Sequence, residues 1–162
     1  METMNIIHPT FEHGKNFEIG NFCTIEEDVV IGDNVKIENY VLLRKGTIIG
    51  HNTFVDSYVR SSGANIIGNN VTLRYGCTIA KEVVIRDKTY ISPNVMTIFS
   101  NEKGESEGEI IIGKNVFIGT AAVIGSGVTI GHNVIIGAMA YVNKNCLDGG
   151  TYIGVPAKRI ER

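Results

Sequence analysis

Three groups of side chains in this 162-residue chain could do chemistry. The densest is the polar stretch Thr97 to Ile111, TIFSNEKGESEGEII, which is rich in glycine, glutamate and serine and includes Asn101 and Glu102. The second group is four histidines, His8, His13, His51 and His132, which could act as bases or as metal ligands. The third is Cys23, Cys77 and Cys146, open to service as ligands, as a disulfide with one thiol spare, or as nucleophiles.

These residues are positioned by a repeat. From Ile7 an aliphatic residue recurs every six positions, through Ile19, Ile25, Ile31 and Ile37 to Ile91, and four residues after each stands a small or β-branched one such as Cys23, Val29 or Thr47. Neither a helix nor a flat strand has that period. Two inward positions per six residues, separated by a corner, describe a short strand that turns after each hexad. The corner triplets Gly32-Asp33-Asn34, Gly50-His51-Asn52 and Gly68-Asn69-Asn70 recur every 18 residues, so three hexads make one coil. Glycine and asparagine tolerate the left-handed backbone such corners require.

The repeat breaks once. It should bring the next residue of that face at 103 but resumes at Ile112, so the stretch 97–111 replaces one six-residue strand and adds nine residues. A protrusion from an otherwise regular array is where function concentrates, and 97–111 is taken as the lip of an active site. A second irregularity, Ser61 and Asn65 at positions that elsewhere hold aliphatics, reads either as a buried hydrogen-bonded pair or as a substrate-facing opening. All three cysteines fall on the small inward position, where a thiol acts as a compact hydrophobe. Phe22, Tyr40 and Tyr58, 18 apart on one outward face, are either an interface or exposed decoration.

The bulk numbers exclude several classes. One domain is expected, 1–162, with a cap at 1–18 whose inward His13 weakens the pattern, the loop at 97–111 and a tail at 148–162; about seven coils fit. A net charge of -2 without a basic run argues against nucleic acid. No segment reaches the roughly 18 apolar residues of a membrane span, and METMNIIHPTFEHG lacks the features of a signal peptide, so a soluble cytoplasmic protein is expected.

The hexads IGDNVK, IGNNVT, IGKNVF and IGHNVI, with the ending Gly154-Val155-Pro156-Ala157-Lys158-Arg159-Ile160, resemble the hexapeptide-repeat acyltransferases over nearly the whole chain. That resemblance implies an all-β fold, a left-handed parallel β-helix of triangular section, which is an exception to the usual crossover hand. It also implies a homotrimer, acetyl-CoA as co-substrate without a metal, and an active site between neighbouring prisms. Related O-acetyltransferases carry a histidine near the start of such a loop, and this chain has none there. Phe99-Ser100-Asn101 looks instead like the FTN-type segment of sugar-nucleotide N-acetyltransferases. The reaction this resemblance implies is N-acetylation of an amino sugar, nucleotide-linked, with Asn101 orienting the amine and Glu102 accepting a proton.

By the same resemblance Gly119 and Gly137 leave backbone groups open to the pantetheine arm, with Thr120 and Ala138 beside them and Lys158 and Arg159 meeting phosphates. The alternative reaction is O-acetylation of a sugar or small hydroxyl compound with His51 or Glu102 as base. Two further rivals are a zinc-dependent carbonic anhydrase of similar form, which needs three converging histidines, and a non-catalytic β-helical scaffold.

Overall fold

The computed structural model describes residues 4–161. Residues 1–3 of the expected cap and Arg162 of the expected tail lie outside them. Two-residue strands alternate with corners throughout, and every third strand pairs in parallel, giving three sheets of eight, seven and nine strands. The first sheet runs from Ile6–Ile7 to Tyr141–Val142, the second from Glu12–His13 to Thr129–Ile130, and the third from Glu18–Ile19 to the terminal hairpin Thr151–Ile153 and Lys158–Ile160. The eight strands of the first sheet make about eight turns rather than seven, because the weakly patterned N-terminal hexads also wind into the array.

From Thr24–Ile25 onward to Tyr141–Val142 the second residue of each strand is buried and the first faces out. The inward aliphatics and the small residues four places later form one continuous core, with each fully buried aliphatic contributing about 1.5–3 kcal/mol. Where threonine replaces valine at a small position the hydroxyl reaches a carbonyl: Thr47 donates to Arg44 O at 2.7 Å, Thr53 to Gly68 O at 3.0 Å and Thr89 to Gly113 O at 2.8 Å. The N-terminal end is plugged by Phe11, His13 and Phe17, whose ring centroids lie 4.8–5.5 Å apart; His13 is at the open end and exposed.

The corner between the second and third sheets explains the Gly-x-Asn triplets. Where the middle residue carries an acceptor, as it does everywhere but at Lys114 in the triplets from 32 to 133, it caps the backbone N–H of the coil before it: Asp33 N–H donates to His51 Nδ1 at 2.8 Å, His51 N–H to Asn69 Oδ1 at 2.7 Å, and Asn69 N–H to Asp87 Oδ1 at 2.8 Å. Glycine precedes because that capping side chain lies over it; a Cβ on Gly68 would come 2.5 Å from Asp87 Oδ1. The asparagine that follows takes the left-handed turn, as at Asn34 and Asn52, both with φ of 55°.

Phe22, Tyr40 and Tyr58 occupy the corner between the third and first sheets, not a face, with φ of 60°, 59° and 62°. Left-handed backbone costs a residue with a Cβ about 1–2 kcal/mol. Stacking offsets it: Phe22 and Tyr40 are parallel within 10° at 5.0 Å, Tyr40 and Tyr58 within 11° at 4.9 Å, and Tyr75 extends the column at 5.4 Å. The rings spend their faces on one another while Phe22, Tyr40 and Tyr58 each stay 46–47% exposed.

Ser61 and Asn65 are wholly buried, and a polar chain satisfies them. Thr47 Oγ1 contacts Ser61 Oγ at 2.6 Å, Ser61 donates to Asn65 Oδ1, and Asn65 Nδ2 donates to Ala80 O at 2.5 Å. No buried side-chain nitrogen or oxygen among the described residues lacks a partner. Of the two readings of this hexad, the substrate-facing opening is therefore set aside.

The three cysteines are buried and unpaired. Loss of hydration pushes the thiols of Cys77 and Cys146 up to about 11 and raises that of Cys23. A thiol-specific disulfide reagent at pH 7.5 is expected to label none of them in the native protein and all three in denaturant; rapid labelling of one in the native state would contradict this burial. Since the unfolded chain releases these protons first, folding stability should fall as pH rises from about 8.5 toward 11.

Candidate active site

The long loop leaves the first sheet after Met96–Thr97 and rejoins the second at Ile111–Ile112, which pairs with Val84–Ile85 on one side and Thr129–Ile130 on the other. It therefore replaces no strand. The corner itself has grown, from four residues in the preceding coil (80–83) to thirteen here (98–110), which is the nine-residue insertion.

Within the loop the chain doubles back. Ser100 and Ser106 form an antiparallel bridge, Asn101 N–H donates to Glu105 O at 2.9 Å, and Gly104 N–H donates to Asn101 O at 3.0 Å with Gly104 at φ +77°. Asn101 Oδ1 accepts from the N–H groups of both Lys103 and Glu105 at 3.0 Å, so its side chain organises the turn. What remains free for a ligand is the Nδ2 donor.

The loop lies against the next coil. Ser126 Oγ donates to Phe99 O at 2.7 Å and accepts from Glu107 N–H at 3.0 Å, pinning the outgoing and returning stems to one side chain. Gly127, at φ +70°, passes beneath Glu107, whose carbonyl oxygen would be 2.6 Å from a Cβ there. Between loop and coil is a cleft of about 360 Å³ lined by Ile98, Ser100, Asn101, Glu102, Glu107, Gly125, Ser126 and Tyr141. Two carboxylates, an amide and three hydroxyls suit a polar, cationic or polyhydroxyl ligand.

The expected site residues fall in three places. Asn101 and Glu102 line this cleft. His51 does not approach it within one chain; it stands on the next corner, several coils nearer the N-terminus. Its Nδ1 accepts the Asp33 N–H, so the neutral ring carries its proton on Nε2 and has no free lone pair. His132 is used in the same way by Lys114 N–H at 2.8 Å. No cluster of three metal-ligating side chains forms among the described residues.

Gly119, Thr120, Gly137 and Ala138 stack on successive coils at the corner between the third and first sheets, and Lys158 and Arg159 lie on the exposed terminal hairpin at that end of the third sheet. The two glycines are less open than expected. Gly119 N–H donates to Ile136 O and Gly137 N–H to Tyr152 O, each at 2.8 Å, and Ile153 packs over Gly137. The parallel coil ladder consumes these donors, leaving exposed Thr120 and Ala138 as the approachable surface.

Reading the sequence alone missed Ser126, Gly127, Glu107 and Tyr141. The signal for the first pair was present: IGSGVT puts Ser-Gly at the one corner that must receive the loop.

A family model described as the GMPPB C-terminal domain matches residues 1–102, and one described as the bacterial transferase hexapeptide (six repeats) matches 109–144. No curated protein matches the sequence. Among solved structures, LpxA from Acinetobacter baumannii is 19% identical with a TM-score of 0.76, covering 98% of this chain and 72% of that one. A maltose O-acetyltransferase from Clostridium difficile is 22% identical with a TM-score of 0.55, covering 94% and 70%. A galactoside acetyltransferase in complex with coenzyme A is 30% identical with a TM-score of 0.57, covering 70% of this chain and 64% of that one. The repeat, the three stacked sheets and these matches together place the chain in the hexapeptide-repeat acyltransferase superfamily, as a left-handed parallel β-helix.

Proposed function

We propose that the protein acetylates the amine of an amino sugar, nucleotide-linked, using acetyl-CoA, in the cleft beneath the loop. The observation that carries this reading is the pair of carboxylates, Glu102 and Glu107, lining that cleft beside Asn101. An amine reaches neutral water as an ammonium ion, which carboxylates attract; once neutral it has its own lone pair and needs no histidine to make it a nucleophile. Its nitrogen bonds to the acetyl carbon, the C–S bond breaks, Glu102 takes the proton lost by nitrogen, and solvent protonates the departing thiolate. Rate then comes chiefly from holding amine and thioester together.

Support for the other parts of the reading is of a different kind. Val30, Ile48 and Ile66 form an exposed aliphatic column on the second sheet, 39%, 45% and 51% exposed, which favours self-association as a homotrimer. Thr120, Ala138, Lys158 and Arg159 offer a route for the coenzyme along the C-terminal coils. The structure solved with coenzyme A, 30% identical to this chain, supports a coenzyme A thioester as donor. Because that neighbour is named for a galactoside, O-acetylation of a sugar hydroxyl is kept as the second reading.

A panel of amino-sugar nucleotides and plain sugars, each incubated with acetyl-CoA and followed by thiol release, separates these. Turnover with an amine, rising with pH until the amine is fully neutral, is expected. Turnover only with hydroxyl acceptors would establish the second reading, and failure to bind acetyl-CoA at all would leave a non-catalytic scaffold.

A further inference from the structure

We infer that Tyr141 is a catalytic residue whose phenol donates a hydrogen bond to the thioester carbonyl oxygen as the amine attacks, an inference that rests on the acetyl-transfer reading above. Its place in the fold makes the case. Tyr141 opens the last strand of the first sheet, directly after the Ala138–Met139 corner proposed for the coenzyme, and pairs with Val123 of the preceding coil. Its side chain faces outward while Val142 faces the core.

The ring crosses the sheet toward the opposite edge. A Cβ on Gly125, at the far end of the neighbouring strand and next to the loop latch, would lie 3.8 Å from the Tyr141 hydroxyl. The hydroxyl thus enters the loop cleft with Asn101, Glu102 and Glu107, while the Tyr141 backbone belongs to the coenzyme side. This side chain spans the two halves of the proposed site. A thioester arriving from the Ala138 corner and an amine held under the loop would meet at its hydroxyl.

The chemistry suits a donor that keeps its proton. As nitrogen bonds to the carbonyl carbon, negative charge grows on oxygen, and a fixed O–H in a partly enclosed cleft stabilises that charge more than it stabilises the resting thioester. Tyr141→Phe removes one oxygen from a partly exposed side chain and should leave the fold intact.

The experiment compares wild type and Tyr141→Phe with an active amine acceptor. The expected result is kcat lowered at least tenfold, with KM for the acceptor and Kd for free coenzyme A changed less than twofold. An unchanged kcat would overturn the role of Tyr141, as would a variant whose whole loss lies in KM or in coenzyme affinity. Were wild type itself inert toward every amine, the acetyl-transfer reading would fail before Tyr141 was tested, so the two failures are distinct.

Discussion

Asn65→Ala is expected to lower the free energy of unfolding by about 3 kcal/mol, the largest stability effect of any single side chain outside the aliphatic column. The reason is what it leaves behind. Asn65 is fully buried and carries a donor to Ala80 O and an acceptor for Ser61, so truncation strands the Ala80 carbonyl in the prism interior, leaves the Ser61 hydroxyl only Thr47 Oγ1 to turn to, and opens a void. Water cannot repair that carbonyl without entering a close-packed core.

The double variant Ser61→Ile with Asn65→Val should behave differently. It restores at both positions the residue types that the neighbouring coils use, Leu43 and Ile79 beside Ser61 and Val83 one coil beyond Asn65. Removing both polar partners together leaves only the Ala80 carbonyl without its donor and refills the space with apolar atoms, so the loss should be smaller than for Asn65→Ala. Thr47 keeps its bond to Arg44 O. Chemical denaturation of the two single variants and the double measures the coupling. Additive losses, with the double as unstable as the singles summed, would refute the account of Ser61 and Asn65 as one unit.

Most of the fold was legible because its period is written in large residues. Ile25, Ile31 and Ile37 are buried as their spacing requires, and the Gly-x-Asn triplets fall at one corner, where an acceptor such as His51 or Asn69 caps the coil before it. What the spacing could not convey is where a non-repeating stretch goes. Counting positions suggested a lost strand at 97–111, whereas Ile111–Ile112 pairs normally and only the corner has lengthened. The same holds for Ser126, a short polar residue whose importance depends on two backbone groups 19 and 27 residues upstream.

The glycines at 119 and 137 show the opposite error. Their type suggests open backbone, but in a parallel coil each N–H is already committed to the next turn, and the missing side chain makes room for the neighbouring coil at Gly119 and for Ile153 at Gly137. His51 likewise looked like a free corner imidazole. A histidine standing where neighbouring coils place aspartate or asparagine is there as an acceptor, and the Asp33 N–H uses it so.

Asn101→Ala is expected to lower turnover on the amine acceptor about 100-fold, because a displaced loop misplaces every group on it and a contact is lost besides. Two causes are therefore mixed in that variant, and Asn101→Asp separates them. Aspartate keeps an oxygen for the Lys103 and Glu105 N–H groups, so the turn should persist, and slow exchange of those two amides would show it. It lacks the Nδ2 donor, the part of Asn101 left facing the cleft. Both variants slow, with only the alanine variant losing amide protection, would establish that Asn101 touches the acceptor through Nδ2. Full activity in the aspartate variant would reduce Asn101 to a loop former, and full activity in the alanine variant would remove it from the mechanism.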